Sequence, residues 1–385
     1  MRGGTVLYYL AALFLYLIAL PFLILLSFKS KYRQPIPARF FFKNNPVFDH
    51  EGIWFHACSL GEAKSLAPLI ERFDGETVNV SVITQTGYEA AKKLRADVRY
   101  LPFEILLPFW VRPNKALIVL EAELWYLLFF LAKRKGMKTV LLNARMSDRS
   151  FGKYRKMRWF YSAIFSNIDV VYAQSQTDRN RLLELGAKHV EVIGNIKMFQ
   201  KIEYTGMFQK PDDWIITAAS THEGEEGLMT DAWLSYGRGK LIVVPRHPER
   251  FEKVAKLLAQ KAEQHGKRFH RFSEREDFDS DIVLVDKMGI LNEIYAITDV
   301  VILGGSFVKV GGHNPLEPEH FGCKLITGHE IFNQHAIFSG LDHVIYTNKE
   351  ELATSLKEAE SAPGITIKNR PDIDHIFEKI KANVL

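Results

Sequence analysis

Hydrophobic and polar positions alternate in blocks along the chain after residue 50. Short apolar runs, such as IWFHA, VNVSVIT and KALIVLE, are each followed by a helical stretch, and TVLLN and IDVVYAQ continue the series. After a polar stretch at 201–213 the pattern restarts with DWIITAA, KLIVVP, DIVLV, DVVILGG and KLITG. Such alternation predicts parallel sheets covered by helices on both faces. We therefore predict an α/β fold of two Rossmann-like domains with a cleft between them, at residues 29–205 and 206–385. The last helix, about 373–384, is expected to pack back on the first domain.

Residues 1–28 form a separate apolar segment. Thr5 to Phe28 is an uncharged run of 24 residues, which as a helix would reach about 36 Å, enough to cross a bilayer. A cleaved signal peptide is disfavoured because no small-residue cleavage site follows the run. A helix lying in the membrane interface, with tyrosines as anchors, remains an alternative. Basic residues follow the run whereas Arg2 alone precedes it, so we expect the rest of the chain in the cytoplasm.

Composition excludes several classes of protein. The 385 residues are 47% hydrophobic and 25% charged, which excludes disordered, fibrous and polytopic membrane proteins. Two cysteines, Cys58 and Cys323, are too few for a disulfide framework, and are expected to be small buried side chains. A net charge of +5 is too small to indicate nucleic acid. The histidines show no metal-binding spacing.

Four charged residues in the first half are candidate site residues. Glu62 follows IWFHA, Glu121 ends KALIVLE with Glu123 just inside the next helix, and Lys197 lies shortly before the polar stretch. A carboxylate at the carboxyl edge of a parallel sheet could take a proton from a substrate hydroxyl. A lysine there could contact a phosphate. The alternatives are helix-dipole partners for the acids and an ordinary surface position for the lysine.

A basic stretch lies between residues 133 and 158, where ten Lys or Arg residues accompany one acid, Asp148. Arg155, Lys156 and Arg158 close the stretch, and an aromatic cluster follows at once. In a membrane-anchored protein such residues suit anionic headgroups or the phosphates of a lipid substrate. A solvated basic helix is the alternative.

In the second half, polar loops follow several strands. Ser220 and Thr221 end one strand, Pro245 and Arg246 end the next, and a Gly-rich loop runs from Gly304 to Pro318. Arg246 is a candidate for pairing a phosphate. In the Gly-rich loop, paired glycines would let the backbone approach a ligand, and a helix starting near Pro315 would present N–H groups to it. The polar and turn residues of that loop with this predicted role are Gly305, Ser306, Asn314, Pro315 and Glu317. These loops together predict a nucleotide site.

These motifs resemble those of the 3-deoxy-D-manno-octulosonic acid (Kdo) transferases. GE after a strand, ExELW, NAR.S.RS, GN.K, STHEGEE, PRHPERF, GGS and GGHNPLEP occur in that family's order, over about residues 5–335. The resemblance implies a GT-B fold and transfer of Kdo from CMP-Kdo to the disaccharide of a lipid A precursor, at the cytoplasmic face of the inner membrane. It implies no metal or other cofactor and no nucleic-acid or obligate protein partner.

The resemblance also implies roles for residues. Glu62 matches the family's general base for an inverting displacement, and Glu121 and Lys197 match its transition-state stabilisers. The donor-binding residues it implies are Pro245, Arg246, Met288, Gly289, Ile290, Asn314, Pro315, Leu316 and Glu317. Ile290 stands where the family has Glu, so only a backbone contact is expected there, and Tyr126 replaces the Pro of ETELWP.

Two other functions remain open from the sequence. A membrane-associated GT-B transferase with a UDP-sugar donor would bind UDP more tightly than CMP. A non-enzymatic nucleotide-binding or adaptor protein is the second alternative, against which Glu62, Glu121, Lys197 and Arg246 stand together. The sequence leaves open the number of Kdo units added, the acyl and phosphate pattern of the acceptor, and the oligomeric state.

Overall fold

A computed structural model describes residues 3–199, 202–368, 370 and 372–385 of the chain. Its described residues form two units: those up to 199 together with 372–385, and those from Ile202 to Arg370. The second unit thus begins slightly before the predicted residue 206, and the C-terminal segment groups with the first unit. Arg2 and Lys201, which the sequence interpretation used, lie outside the described residues.

The first unit contains a parallel sheet of seven strands. The strands are β1 (Ile53–Ala57), β2 (Val78–Val82), β3 (Asp97–Tyr100), β4 (Ala116–Leu120), β5 (Lys138–Ala144), β6 (Val170–Ala173) and β7 (Val190–Val192). Their order is β3-β2-β1-β4-β5-β6-β7. Residues of β1, β2 and β4 are buried throughout, as expected for strands covered on both faces. The chain reverses its direction of winding between β1 and β4, which makes this pair the topological switch point.

Helices cover this sheet and begin close to the strand ends. They are α1 (Gly3–Leu26), α2 (Pro35–Phe41), α3 (Leu60–Ser65), α4 (Ala67–Ile70), α5 (Gln85–Ala91), α6 (Leu107–Trp110), α7 (Tyr126–Arg134), α8 (Asp148–Lys156), α9 (Arg158–Phe165) and α10 (Gln176–Glu184). The predicted helix from Gly61 to Phe73 is divided into α3 and α4, because Pro68 has no N–H to continue the hydrogen-bond ladder. The helix predicted from Glu123 begins only at Tyr126, so the expectation that Glu123 lies inside it is wrong.

Helix α1 is apolar enough and long enough to cross a membrane, and Pro21 lies inside it. One face of α1 contacts the first unit through polar groups. The Tyr8 hydroxyl bonds to Glu104, and Tyr9 and Tyr16 donate to the carbonyls of Ile105 and Phe40. The opposite face exposes large apolar side chains, among them Leu7, Phe14, Ile18, Phe22 and Leu25. An apolar anchor joined to an α/β unit agrees with the predicted fold class.

The second unit contains another parallel sheet of seven strands. These are β8 (Ile215–Thr221), β9 (Lys240–Pro245), β10 (Phe269–Arg271), β11 (Ile282–Leu284), β12 (Val300–Leu303), β13 (Lys324–Thr327) and, after the short β14 (Leu341–Asp342), β15 (Val344–Tyr346). The order is β10-β11-β9-β8-β12-β13-β15, and β14 pairs with β16 (Thr366–Ile367) in a separate two-stranded ribbon. The switch point lies between β8 and β12.

Among the described residues, the second unit contains six α-helices, and the last α-helix of the chain belongs to the first unit. They are α11 (Glu225–Tyr236), α12 (Phe251–Gln264), α13 (Leu291–Ala296), α14 (Leu316–His320), α15 (His335–Phe338) and α16 (Leu352–Ser361), followed by α17 (Ile373–Val384). Within the first unit α17 packs Phe377 edge-on against Phe73, and Tyr172 donates to the carbonyl of Lys379. The final helix therefore completes the core of the first unit.

Candidate active site

Glu62 lies at the switch point of the first sheet. The loop after β1 ends in Ser59, whose hydroxyl caps α3 by accepting the Glu62 N–H. The Glu62 carboxylate is itself fixed by two donors at 2.8 Å, the Cys58 N–H and the Ser59 hydroxyl. Only 7% of Glu62 is exposed, so the cap places a nearly buried carboxylate at the carboxyl edge of the sheet.

Glu121 and Lys197 form an ion pair beside it. Glu121 follows β4 with a φ of 57°, a left-handed conformation that is uncommon for a residue with a side chain and is often found at functional sites. Lys197 contacts the Glu121 carboxylate through its ammonium group. It belongs to a 3₁₀ turn, Ile196–Phe199, and Asn143 holds that turn by accepting the Ile196 N–H at 3.1 Å. The predicted residues Glu62, Glu121 and Lys197 are thus brought together.

The electrostatics of this group favour proton transfer near neutral pH. Burial, and after it the Glu121 carboxylate, together raise the pKa of Glu62 to about 7, against the hydrogen bonds from Cys58 and Ser59 and the charge of Lys197. A carboxylate that ionises near neutral pH is matched to general-base work. The first edge can therefore accept a proton from a hydroxyl placed next to Glu62.

The predicted donor-binding residues lie at the carboxyl ends of four adjacent strands, β11, β9, β8 and β12. Ser220 has a φ of 53°, and Arg246 follows β9 with its N–H bonded to the Thr221 carbonyl at 3.0 Å. The Arg246 side chain is exposed, and within the described part of the chain no carboxylate lies within 4.0 Å of it. The guanidinium is therefore available to an anion.

Three histidines surround this arginine. The Nε2 atoms of His222 and His313 lie 2.8 Å apart, and the ring of His247 lies 5.3 Å from that of His222. Burial, together with neighbouring imidazoles and Arg246, lowers the pKa of His313 to about 4, and burial also lowers that of His222. Both rings are accordingly neutral at pH 7. The permanent positive charge at this edge comes from Arg246.

Two buried glutamates, Glu225 and Glu226, hold the same loops through hydrogen bonds. Glu225 is fully buried and accepts the N–H groups of His222, Gly305 and Phe307 at 2.7–3.0 Å. Glu226 forms a two-point ion pair with Arg250 and accepts the Thr221 hydroxyl at 2.9 Å. The Thr221 side chain is thus engaged inside the protein.

Two glycines and a serine of the Gly-rich loop make close contacts within the protein itself. A Cβ at Gly304 would lie 2.5 Å from the Ser220 carbonyl oxygen, and one at Gly311 would lie 2.3 Å from Asn333. These glycines permit close packing of the chain on itself, and the approach of a ligand to the backbone there stays a prediction. The Ser306 hydroxyl is also engaged, since it donates to the Leu303 carbonyl and accepts the Gly328 N–H.

The end of that loop keeps polar groups at the edge. The Asn314 side chain caps α14 by accepting the Leu316 N–H at 3.1 Å, and its amide lies 3.5 Å from Glu317. Pro315 directly precedes α14. Glu317 acts electrostatically on the buried Tyr295 hydroxyl, as Arg246 also does. Glu317 and Arg246 therefore approach the same buried hydroxyl.

Met288, Gly289 and Ile290 follow β11 at the same sheet edge. Met288 is 55% exposed and Gly289 has a φ of 85°. The Ile290 side chain packs in an apolar cluster with Val285 and Ile294. The Ile290 side chain is therefore not available to bind the donor. The backbone contact that the sequence analysis expected at this position stays a prediction.

The basic stretch forms an exposed surface next to the apolar helix α1. Arg155, Lys156 and Arg158 are all exposed, and Arg155 lies 3.9 Å from Glu184. Trp159 is 74% exposed, whereas Phe160 next to it stacks on Tyr8 of α1. The stretch and the apolar helix thus share one region of the first unit.

Comparison with known proteins identifies the family. The family model described as 3-deoxy-D-manno-octulosonic-acid transferase (kdotransferase) matches residues 34–200. A 3-deoxy-D-manno-octulosonic acid transferase of Haemophilus influenzae is 35% identical over 353 residues, which cover 84% of this chain and 82% of the relative. The chain belongs to the Kdo transferase family. It is a glycosyltransferase, as the resemblance implied.

Other relatives extend this result. The Kdo transferase of Aquifex aeolicus is 29% identical, with 87% of both chains covered. A bifunctional glycosyltransferase/methyltransferase of Fusobacterium nucleatum is 33% identical over 73% of this chain, but the match spans only 47% of that longer protein.

Solved structures support the fold. UDP-GlcNAc 2-epimerase of Neisseria meningitidis matches with a TM-score of 0.56 and 13% identity, covering 86% of this chain and 98% of the epimerase. A glycosyltransferase of Rickettsia africae matches with a TM-score of 0.51 and 16% identity, covering 82% and 89%. At these identities the similarity concerns the two-unit α/β fold alone.

Several supporting residues of this Kdo transferase family member were missed from the sequence. Ser59 and Asn143 hold Glu62 and the Lys197 turn, and Glu225, Glu226 and Arg250 hold the loops of the second edge. Four of them lie inside motifs quoted for the resemblance, and Ser59 lies two residues before the GE motif. The motifs do not indicate which of their residues would bind a ligand and which hold the loop in place.

Proposed function

We propose that this protein transfers Kdo from CMP-Kdo to the disaccharide of a lipid A precursor, lipid IVA, with inversion at the anomeric carbon and release of CMP. The observation that supports it most is the nearly buried Glu62 at the first sheet edge, with a pKa of about 7, beside the Glu121–Lys197 pair. Membership of the Kdo transferase family supports the donor and acceptor classes.

In this mechanism the first unit binds the acceptor and the second unit binds the donor. Glu62 accepts the proton of the acceptor hydroxyl while its oxygen attacks the anomeric carbon, and the bond from that carbon to CMP breaks. In the second unit, Arg246 and helix N-termini stabilise the negative charge that develops on CMP. In the first unit, Lys197 is the proposed stabiliser of the transition state. Glu121 holds Lys197 in place through the ion pair.

The proposal needs no metal, because CMP has no pyrophosphate to neutralise. Among the described residues no three His, Cys, Asp or Glu side chains are grouped so that they could hold a metal ion. We expect transfer to proceed at an unchanged rate in excess EDTA. A loss of activity that added Mg²⁺ or Mn²⁺ restores would contradict this prediction.

The location follows from the same proposal. We infer that α1 anchors the protein in the inner membrane with both α/β units on the cytoplasmic side, where CMP-Kdo and the lipid precursor are both accessible. The basic residues Arg155, Lys156 and Arg158 are proposed to contact phosphates of the acceptor or of membrane lipids.

The direct test is transfer by detergent-solubilised protein. The protein is incubated with tetra-acylated, bisphosphorylated lipid A precursor and fresh CMP-Kdo, and the lipid is then examined by mass spectrometry. Gains in whole Kdo units would support the proposal and count the sugars added. An unchanged lipid with CMP-Kdo, but a modified one with a UDP-sugar, would instead establish the alternative donor.

A further inference from the structure

Arg39 is a partly buried cation that the mechanism above does not use. It belongs to α2, the first α-helix after the apolar α1, and its backbone carbonyl accepts the Phe103 N–H at 2.9 Å. Its Nε donates to the Leu101 carbonyl at 3.0 Å. The first bond holds the backbone of Arg39 and the second holds its side chain. The two terminal nitrogens of the guanidinium have no hydrogen-bond partner among the residues that the structure describes.

The charge of Arg39 has an aromatic neighbour, since the guanidinium carbon lies 5.5 Å from the centre of the Phe40 ring, but no ion pair among the described residues. Arg99 and Arg181 in the same unit have side chains of 18% and 22% exposure, and each is paired with an aspartate. Within the described ranges no carboxylate oxygen lies within 4.0 Å of Arg39. Burial lowers the pKa of Arg39 to about 10, which still leaves it charged at neutral pH. A desolvated cation without an ion pair is unfavourable, and an anionic ligand would relieve that cost.

The surroundings of Arg39 connect it to Glu62. Its electrostatic neighbours are the Cys58 thiol and the Glu123 carboxylate. Cys58 is also the residue whose N–H binds the Glu62 carboxylate at 2.8 Å. An anion on the free nitrogens of Arg39 would therefore lie close to a substrate bound at Glu62.

Arg39 is also adjacent in the chain to the membrane anchor. The next residue, Phe40, accepts a hydrogen bond from Tyr16 of α1 at 2.6 Å and stacks on its ring. A substrate with acyl chains in the membrane and a hydroxyl at Glu62 would bring its headgroup to this segment. A planar guanidinium whose two terminal nitrogens are free suits a phosphate monoester, because the two nitrogens can each donate a hydrogen bond to it.

We propose that Arg39 binds a phosphate monoester of the acceptor beside Glu62 and so positions the acceptor hydroxyl for deprotonation. The inference rests on the proposed function and names the recognition residue of that site. It concerns a partly buried single cation, distinct from the exposed residues Arg155, Lys156 and Arg158.

The test compares Arg39→Gln and Arg39→Lys in the full-length protein with two acceptors, bisphosphorylated tetra-acyl disaccharide and preparations from which one phosphate has been removed. For Arg39→Gln we expect KM for the bisphosphorylated acceptor to rise about tenfold or more. KM for the acceptor lacking the recognised phosphate should change little, as should KM for CMP-Kdo. Arg39→Lys should retain part of the effect, because it keeps the charge but not the two-point geometry.

Arg33→Gln is the matched control. It removes one positive charge six residues away from an exposed position in the same segment, so its KM for both acceptors should stay near that of the unchanged protein. An equal rise of KM for the bisphosphorylated acceptor in Arg33→Gln and Arg39→Gln would overturn the proposal, since it would indicate a general effect of charge. If Arg39→Gln raises KM equally for all acceptors, the proposal is also overturned, since such a result would indicate a structural role for Arg39.

Lipid headgroups are the other source of phosphate. In vesicles of phosphatidylcholine with or without phosphatidylglycerol, the Arg39→Gln defect should be the same. A defect that depends on phosphatidylglycerol and not on the acceptor phosphate would assign Arg39 to the headgroup and overturn acceptor recognition. If the unchanged protein transfers no Kdo, binding of the bisphosphorylated acceptor without donor still decides the inference. Weaker binding by Arg39→Gln alone supports it, and equal binding refutes it.

Discussion

Glu62 shows how a single residue combines local and distant influences. Its neighbours in the chain, Cys58 and Ser59, donate hydrogen bonds that favour the carboxylate, whereas burial and Glu121 favour the protonated acid. The second pair of influences is stronger, so its pKa rises to about 7 rather than remaining near 4.5. As pH rises through 7, the deprotonated fraction of Glu62 increases, and the proposed base becomes competent.

Glu62→Gln tests the role of the base directly. The amide cannot accept the proton, so we expect kcat to fall roughly 10²–10⁴-fold, while the Kd for CMP, measured by calorimetry, changes little. Glu89→Gln removes an exposed carboxylate from α5 of the same unit and should retain full activity. Glu62→Gln with most of its activity left would remove Glu62 from this role.

The two neighbours of Glu62 should shift the pH profile in opposite directions. Glu121→Gln removes a negative charge, so the pKa of Glu62 falls and the acidic limb of kcat/KM moves to lower pH, by about one unit. Lys197→Met removes the opposing positive charge and should move that limb to higher pH. Both variants are expected to be slow, so the residual rates are followed with radiolabelled donor. Shifts in the same direction would show that charge at Glu62 is not what the pair controls.

The cysteines show a simpler case. Burial raises the pKa of both Cys58 and Cys323 to about 12, so both thiols stay protonated at neutral pH. A protonated thiol is a poor nucleophile. Cys323 is buried as expected, whereas Cys58 is only partly buried.

At the scale of elements, the loops that follow the strands are held by buried carboxylates. Glu225 is the clearest example, because it joins the start of α11 to the loop after β12 through three N–H groups. Glu104 does the same in the first unit, where it accepts the Leu127 N–H at the start of α7 and the Tyr8 hydroxyl of α1. The apolar helix is thereby tied to the segment that directly follows Glu121 and Glu123.

Glu225→Gln should weaken donor binding. The amide NH₂ would face N–H donors in place of an acceptor, which costs about 1–3 kcal/mol for a buried group, and the loops at Gly305 and His222 would shift. We expect the Kd for CMP to rise about tenfold, measured by calorimetry. Glu223→Gln in the same motif changes an exposed residue paired with Lys253 and should bind CMP normally. Equal affinity in both variants would show that Glu225 has no part in shaping the donor site.

At the scale of the whole molecule, the surface of the first unit is uneven in polarity. The exposed apolar face of α1 and the exposed Trp159 accompany the basic residues of α8 and α9. A surface with both features suits an anionic membrane, to which apolar burial and basic residues contribute together. The membrane should therefore interact with the folded unit as well as with the anchor.

Neutralising Arg155, Lys156 and Arg158 together to Gln should raise KM for the phosphorylated acceptor roughly 10²-fold in vesicles containing phosphatidylglycerol, since each basic residue near such a surface contributes about 1 kcal/mol. The matched control replaces the exposed residues Lys92, Lys93 and Arg95 by Gln, which removes the same charge. No difference between the two triple variants would mean that the stretch is a solvated face.

Sequence patterns predicted the central strands well and the edges poorly. The buried runs at β1, β4, β8 and β12 are long and apolar, because both of their faces are covered. The edge strands β3, β7 and β10 are short and partly polar and were not predicted. The start of α7 was placed three residues too early, because the left-handed turn at Glu121 has no signature in the letters.

The sequence by itself determined the alternating fold, the apolar N-terminal helix, the order of the motifs and the chain positions of Glu62, Glu121, Lys197 and Arg246. These follow from local periodicity and from residue types at strand ends. Only the tertiary structure decided which groups are buried, paired or left without a partner. The ion pair of Glu121 with Lys197, the three N–H groups on Glu225 and the unpaired charge of Arg39 depend on strands that are distant in sequence becoming neighbours. Burial and pairing are properties of that arrangement, and they set the pKa of Glu62 and the sites open to anions.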